Sequence, residues 1–253
     1  VGMLTGLYRI GSKMMLEKQA QELHSQNLAG AGLCGFKGRH QAVSSFRRAL
    51  EGAAGGDTAP GRPVDVARIV EDLSQGALRR TDRSLDFALT GEGFFEVETP
   101  DGNTLLTRNG NFRLDPDGTL VTQEGYGVRG EGGALQFQTT DDVQNLVTTE
   151  DGILRVHNAT EGTLREVGRL RIVTAADPSR LDRLSANYFR PGNGQTLEAA
   201  ENARVSNGYQ EQANVSAVRE MVAMIQSLRD FESGHKMIQT LNDLARSADQ
   251  KMG

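Results

Sequence analysis

The apolar residues at the C-terminal end of the chain recur with a helical period. They are spaced mostly three or four positions apart, as Val218, Met221, Ile225, Leu228, Phe231, Ile238, Leu241, Ala245, Ala248 and Met252. This spacing predicts an amphipathic helix over residues 214–252 whose heptad-like seam packs on a partner helix. Asn214 or Ser216 is the expected N-cap. The step of three from Leu228 to Phe231, where four was due, predicts a stammer in the supercoil.

A second helix is predicted over residues 4–29. Its apolar residues form two stripes offset by roughly half a turn, with Leu7, Ile10 and Met14 in one and Leu16, Ala20 and Leu23 in the other. Glycines at positions 30, 32 and 35 follow, and glycine commonly ends a helix because it adopts left-handed backbone without strain. This helix is the expected partner of the C-terminal one.

Between the helices the pattern changes to short apolar runs separated by Gly, Asp, Asn and Pro. Residues 94–98 (FFEVE) predict a strand, and residues 105–108 are expected to pair back to it after a turn at 100–102. The Asn109-Gly110 pair predicts a second hairpin turn. Further strands are predicted over 112–114, 119–122 and 168–173, and further turns at 115–118 and 151–152. Such short spacing is typical of an antiparallel β-rich domain.

Residues 51–63 (EGAAGGDTAPGRP) have the composition of a loop and are the expected domain boundary, with a strand beginning at 64–69. The predicted domains are an N-terminal helix with its connecting segment (1–63), a β-rich central domain (64–205) and a long C-terminal helix (206–253). The predicted fold class is α+β. In this fold, long N- and C-terminal helices form a paired, coiled-coil terminal domain around a β-rich centre of short antiparallel strands.

Composition describes a rather polar chain of 253 residues, 37% hydrophobic, with a mean hydropathy of −0.45. No apolar run approaches the roughly 18–20 residues of a membrane span, and charges at Arg9, Lys13 and Lys18 interrupt any secretory h-region. We therefore expect neither membrane insertion nor a cleaved signal peptide.

Charge is unevenly distributed along the chain. Residues 1–50 contain seven Lys and Arg against two Asp and Glu, whereas residues 214–253 contain five of each. A basic N-terminal segment attracts acidic partners or nucleic acid in some proteins. Here the basic residues are dispersed and no aromatic residues lie between them for base stacking. A solvated helix face is therefore the favoured interpretation, with no nucleic-acid partner.

The sequence nominates no catalytic, metal or cofactor site. The histidines at 24, 40, 157 and 235 lack other ligands at metal-binding spacing. Cys34 is either a reactive thiol or, as favoured, a small glycine-flanked residue without chemistry. Gly91 and Gly93 precede a strand, which favours a bulge over a phosphate loop. Asp115 and Asp117 flank Pro116 and favour a plain turn over a calcium site.

Four motifs follow one another along the chain. They are Asn27-Leu28-Ala29 followed by Gly35-Phe36-Lys37, residues 85–95 (LDFALTGEGFF), residues 106–112 (LTRNGNF) and residues 214–239. The first resembles the N-terminal signature of the flagellar rod and hook proteins, the next two resemble central elements of that family, and the last resembles its C-terminal signature. The resemblance covers nearly the whole chain.

This resemblance implies a structural subunit of the bacterial flagellar basal-body rod, not an enzyme, without a cofactor. Its expected partners are other copies of itself, neighbouring rod and hook subunits and the flagellar export apparatus. Such a subunit is exported unfolded and polymerises through its terminal helices into a hollow helical shaft that crosses the periplasmic space and transmits torque. The expected assembly interface consists of Leu7, Ile10, Met14, Leu23, Leu28, Phe36, Val218, Met221, Ile225, Leu228, Phe231, Ile238 and Leu241.

Within the family, chain length favours a mid-sized rod protein. No Leu-Leu-Tyr-Gln element follows Gly35-Phe36-Lys37, which favours the proximal-rod type over the distal-rod type. Two other functions stay open at this point. A carbohydrate-binding or hydrolytic module acting on the cell wall requires a pocket with convergent polar groups in the central domain. A non-flagellar coiled-coil adaptor requires a dimer instead of a polymer.

Overall fold

The computed structural model describes residues 2–45, 65–158 and 162–252. The chain divides into two compact units. The helical unit comprises residues 1–29, 39–72 and 215–253, and the β unit comprises residues 30–38 and 73–214. The loop expected at 51–63 lies outside the described residues, and the three predicted domain bounds stay a prediction.

The helical unit contains the two α-helices and one two-stranded ribbon. Helix α1 spans Gly2–Gly30 and α2 spans Ala217–Met252, so both predicted helices are present. The ribbon pairs β1 (Arg39–Ser45) with β2 (Asp65–Glu71) in antiparallel register. At the start of α2, the Ser216 carbonyl accepts the hydrogen bond of Glu220 N at 3.0 Å, which is the position of an N-cap residue.

Polar contacts tie the ribbon to α1 within the helical unit. The Asn27 side chain donates to the Arg39 carbonyl at 2.7 Å and accepts from Arg39 N at 2.9 Å. Asn27 is buried, so both of these bonds satisfy polar groups that water does not reach. The Arg39 guanidinium also donates to Glu71 across the ribbon at 2.8 Å. The first residues of the ribbon are thereby fixed against the last turn of the helix.

The β unit is built from seventeen strands in the described residues. They are β3 (Leu78–Arg80), β4 (Phe87–Thr90), β5 (Phe94–Glu98), β6 (Thr104–Thr107), β7 (Phe112–Leu114), β8 (Leu120–Thr122), β9 (Gly127–Gly130), β10 (Gly133–Ala134), β11 (Asp141–Thr148), β12 (Ile153–Asn158), β13 (Leu164–Arg169), β14 (Ile172–Ala175), β15 (Leu181–Arg183), β16 (Tyr188–Pro191), β17 (Leu197–Ala199), β18 (Arg204–Asn207) and β19 (Tyr209–Glu211). A short 3-10 helix, Pro178–Arg180, precedes β15.

Ten of these strands form one sheet with antiparallel pairings. Its order is β15-β16-β6-β5-β9-β8-β7, with β10 on β9, β14 on β5 and β17 on β14. A second sheet has the order β11-β12-β13, and the pairs β18-β4 and β19-β3 complete the unit. The predicted strand at 94–98 is β5, and β6 pairs back to it as expected.

The main core lies on both faces of the central strands. In β5, Phe95 and Val97 belong to one buried cluster, and Phe94 belongs to a second. Strand β16 divides Tyr188 and Phe189 in the same way. Successive side chains of a strand point to opposite faces of a sheet, so strands that are apolar on both faces join two cores through one backbone.

Two predicted details of the strand pattern are wrong. Asn109-Gly110 is not a hairpin turn, because β6 pairs with β5 and β16 while β7 pairs with β8. Instead, the Gly110 carbonyl accepts from Phe87 N at 2.9 Å, an approach that only glycine permits, since a Cβ there would lie 1.8 Å from Phe87 O. The strand predicted over 168–173 is divided into β13 and β14, because the chain changes sheets there.

The predicted fold class is also wrong. Nineteen strands and only two α-helices make up the regular structure of the described residues, apart from the short 3-10 helix. The coiled-coil terminal domain is not present, because the expected seam is not buried. Val218, Met221, Ile225 and Leu228 are each exposed to between 43% and 70%, whereas seam residues of a coiled coil insert between residues of the facing helix.

Candidate assembly surface

Helix α2 carries an exposed apolar row along its first three turns. This outer row consists of Val218, Met221, Val222, Ile225 and Leu228, which are 70%, 48%, 50%, 51% and 43% exposed. Residues three, four and seven positions apart lie on one face of a helix. The row is therefore a continuous apolar strip, and removing it from water is favourable.

A different face of α2 carries the described contacts to α1. This inner row consists of Glu220, Met224, Ser227, Phe231, Gly234, Ile238 and Leu241, all buried or half-buried. His24 Nδ1 lies 2.6 Å from Glu220 Oε2, and a Cβ on Gly234 would lie 2.9 Å from Met14 Cγ. At about 100° per residue, the middles of the two rows lie roughly 140° apart around the helix.

The two rows explain the irregular spacing in the sequence. The step from Leu228 to Phe231, predicted as a stammer, is where the series of apolar residues passes from the outer row to the inner row. The sequence pattern missed Val222, which belongs to the outer row. Its signal was present, since Val222 follows Val218 by four positions and precedes Ile225 by three.

The remaining expected interface residues lie in several environments. Ile10, Met14 and Leu28 on α1 and Phe231, Ile238 and Leu241 on α2 are half-buried. Leu23 is only 4% exposed, so it presents almost no surface. The side chain of Leu7 lies outside the described residues. The structure thus brings four of the expected residues, Val218, Met221, Ile225 and Leu228, together on one exposed strip.

Phe36, also expected at the interface, is an anchor inside the β unit. It is 4% exposed, and the Arg183 guanidinium lies 5.0 Å from the centre of its ring. The same guanidinium lies 5.0 Å from the ring centre of Phe189. A cation between two aromatic faces is attracted by both rings. Phe36 therefore fixes the segment that follows α1 and offers little surface to another molecule.

Lys37 is buried beside Phe36 and forms an ion pair with Glu211 that the sequence did not reveal. Its Nζ donates to Glu211 Oε1 at 2.7 Å and to the Ser74 carbonyl at 2.6 Å. Arg108 donates to the other carboxylate oxygen of Glu211 at 3.4 Å. Lys37 and Glu211 are 174 positions apart, so no local pattern connects them.

The candidate reactive groups have ordinary structural surroundings. The Cys34 thiol donates to Gln210 Oε1 at 3.1 Å, and burial raises its pKa, which disfavours the reactive thiolate at neutral pH. Asp115 Oδ1 accepts from Asp117 N at 3.0 Å and Thr119 N at 2.7 Å. These bonds make an Asx-type turn. Among the residues that the structure describes, no group of three or more His, Cys, Asp or Glu is placed to hold a metal ion.

Among the residues that the structure describes, no helix combines the length and the apolar character that a membrane span requires.

Two parts of the chain match known flagellar families. Residues 88–156 match the D1 domain of the flagellar hook protein FlgE/F/G family. Residues 206–251 match the C-terminal region of the flagellar basal body rod FlgEFG proteins. The second match contains the whole outer row, and the first contains the central strands of the β unit.

Relatives of two types match over nearly the full length. The chain is 31% identical to the flagellar basal-body rod protein FlgG of Buchnera aphidicola subsp. Schizaphis graminum, over 94% of this chain and 97% of that protein. It is 34% identical to the flagellar basal-body rod protein FlgF of Escherichia coli, over 91% of each, and 29% identical to that of Caulobacter vibrioides, over 96% and 95%. The sequence prediction of the proximal-rod type corresponds to FlgF and the alternative distal-rod type to FlgG. Since both match at similar identity, this choice stays a prediction. Identity at this level and coverage establishes that the chain belongs to the family of flagellar basal-body rod proteins, which places it in the basal body of the bacterial flagellum as a structural rod subunit.

Proposed function

We propose that this rod subunit polymerises with copies of itself and with neighbouring rod and hook subunits into a hollow helical shaft that transmits torque. The observation that carries the proposal is the outer row of α2, five apolar side chains on one face that the chain leaves exposed. Monomeric proteins seldom leave an apolar strip uncovered unless a partner covers it. The other expected interface residues on the two helices are proposed to complete the contact where they remain half-exposed.

The small size of the outer row favours a polymer, in which each subunit has several neighbours, over a dimer. Fully burying such side chains stabilises by about 1.5–3 kcal/mol each, so covering the remaining half of five side chains gives roughly 4–8 kcal/mol. Association of two molecules costs about 4–15 kcal/mol in lost freedom of motion. One contact through this row is therefore marginal. A subunit held by several neighbours becomes stable, and we expect a monomer in dilute solution.

The geometry of such contacts determines the kind of assembly. A contact that joins different patches of two identical subunits does not close on itself unless the rotation returns to the start. Repetition of a non-closing contact generates a helical filament. The outer row lies on one helix face and Met237 and Leu244 lie further along the same helix, 53% and 56% exposed. The helix therefore offers apolar surface to more than one neighbour.

Passage through the flagellar export apparatus and the proximal position in the rod are further parts of the proposal. Export is proposed because the chain belongs to the rod family. The proximal position is proposed because the sequence lacks the Leu-Leu-Tyr-Gln element after Gly35-Phe36-Lys37. A structural role rather than an enzymatic one is supported by the relatives, which are rod proteins by name.

The test is to place one charge in the outer row. Ile225→Asp or Leu228→Asp would bury a carboxylate in an apolar contact, which costs several kcal/mol. We expect at least a tenfold loss of incorporation, since about 1.4 kcal/mol is already a factor of ten. Incorporation is measured by immunoblot of basal bodies isolated from cells whose own copy is deleted.

The matched control is Gln226→Asp, which places the same charge at an exposed polar position next to Ile225. It should leave incorporation unchanged. The purified variants should unfold in urea like the wild type, which shows that the β unit is intact. Normal rods containing Ile225→Asp and Leu228→Asp would contradict the proposal.

A further inference from the structure

Residues 30–38 form a strap that follows α1 and is packed into the β unit. Gly35, Phe36, Lys37 and Gly38 are all buried. Their partners come from the other end of the chain. Gly35 N donates to the Glu211 carbonyl at 2.7 Å, and Gly38 N donates to Asn214 Oδ1 at 2.7 Å.

The partner segment, residues 209–214, is bonded to the strap in return. Asn214 N donates to the Phe36 carbonyl at 3.3 Å. The sequence predicts Asn214 as a possible helix cap. In the structure its side-chain Oδ1 accepts from Gly38 N of the strap, and its Nδ2 donates to the Ser74 carbonyl at 3.1 Å. The segment that ends the β unit and the segment that begins it therefore satisfy each other's backbone groups.

Glu211 is the centre of this contact. It is 1% exposed as a residue, and its Oε1 accepts from Lys37 Nζ at 2.7 Å and from Gly76 N at 2.8 Å. Its Oε2 accepts from Arg108. Arg108 in turn donates to the Gly91 carbonyl at 2.6 Å. One carboxylate thus joins the strap, the chain before β3 and the end of β6.

The two cations of this cluster share one carboxylate. Lys37 and Arg108 are 1% and 3% exposed, and the buried Glu211 contacts both. Burial lowers the pKa of Arg108, and Glu211 and Glu92 counteract this. Removing the charge of Glu211 therefore takes a counter-charge from two buried cations at once.

We propose that the strap and residues 209–214 are one cooperative lock centred on Glu211, which closes only when both ends of the chain have reached the β unit. A contact between residues 174 positions apart carries a large loop-closure cost unless the intervening chain is already folded. Glu211 reaches its place through the pairing of β19 with β3. The docking of the strap is consequently a late step, and loosening either segment releases the other.

The coupling distinguishes this lock from two segments that are bound independently. We would measure hydrogen exchange of the full chain by mass spectrometry and compare peptides that cover residues 30–38 and 209–214. Glu211→Gln keeps the shape of the side chain and removes its charge. We expect protection to fall about 100-fold in both peptides, because removing one partner of a buried ion pair is strongly destabilising.

Lys37→Met tests the same coupling from the strap. It removes the Nζ that donates to Glu211 and to the Ser74 carbonyl, and it should lower the protection of both peptides by an equal factor. The matched control is Glu166→Gln, which breaks the exposed pair with Arg155 and should change neither peptide.

If Glu211→Gln does not fold, Lys37→Met alone decides the question. Equal loss in both peptides supports the lock. Loss of protection in the strap with full protection of residues 209–214 overturns it.

Discussion

The helical unit and the β unit differ in what they bury. Among the residues whose side chains the structure describes, Leu23 is the only buried hydrophobic residue of the helical unit, and the other buried hydrophobic residues lie in the β unit. In the same set, half of the large hydrophobic residues that are exposed lie on α2, as Val218, Met221, Val222, Ile225, Leu228, Met237 and Leu244. The β unit therefore buries most of its apolar side chains within one chain, whereas α2 leaves an apolar strip exposed.

The difference follows from the two kinds of secondary structure. A central strand such as β5 is apolar on both faces and belongs to both clusters of the core. An amphipathic helix buries one stripe against a neighbour and needs more neighbours to bury a second. Because the inner row of α2 faces α1, one chain alone leaves the outer row uncovered. Under the proposed function, assembly of this mostly β protein would depend on a helix.

The largest contrast is expected from removing one aromatic ring in each unit. Phe112 is 0% exposed and packs edge-on against Phe95, with ring centres 5.3 Å apart. Phe112→Ala should lower the free energy of unfolding by about 3–5 kcal/mol. Phe231 on α2 is half-buried, and Phe231→Ala should cost less than about 1.5 kcal/mol. Urea denaturation followed by circular dichroism measures both.

Equal losses of stability in the two variants would contradict this contrast between the units. If Phe231→Ala destabilised the protein as much as Phe112→Ala does, then the helical unit would have a core of its own. The outer row would then be a minor feature of a stable unit.

A smaller effect is expected from two glycines near the end of α1. Gly35 has φ +69°, and a Cβ there would lie 2.5 Å from the backbone of Arg108. Gly35→Ala should therefore destabilise by roughly 2–3 kcal/mol, since the strain and the close contact cannot both be relieved. Gly32 is the control, because a Cβ there meets nothing within 4 Å. Gly32→Ala should be neutral within about 0.5 kcal/mol in the same denaturation experiment.

Equal effects of the two glycine substitutions would show that the strap is not held against the β unit. The contrast would then be confined to the strands. Such a result would also remove the structural basis of the lock around Glu211.

The parts of the fold that depend on neighbouring residues were predictable from the sequence. Strand β5, its pairing with β6 and the turn at Gly118 are confirmed, the last by φ +80° and a hydrogen bond from Gly118 N to Asp115 O of 3.0 Å. Each depends on the chemistry of a few adjacent residues. The helices α1 and α2 were likewise predictable, from the helical spacing of their apolar residues.

The parts that depend on distant residues were not predictable. Asn109-Gly110 has the local signal of a hairpin, but the approach of Phe87 decides its conformation. The apolar series on α2 predicts one seam, because periodicity alone does not tell which neighbour covers each residue. In both cases a tertiary contact overrides a valid local pattern. The structure buries the Phe36 ring against Arg183, and its part in assembly stays a prediction.

The smallest effect is expected at the second sheet of the β unit, where one ion pair makes stability depend on pH. Burial alone would raise the pKa of Asp141, but hydrogen bonds from Arg165 and from Gln138 N, the latter at 2.7 Å, hold it below its usual value. A carboxyl group whose pKa is lower in the folded state stabilises above its unfolded pKa of about 3.9, and this is lost as pH falls through the folded value. The free energies of unfolding of the wild type and of Asp141→Asn should therefore differ at pH 7 and differ by less at pH 3. Urea titrations at both pH values measure the difference. A difference that stays constant or grows towards pH 3 would show that the contact of Asp141 with Arg165 does not stabilise β11 to β13.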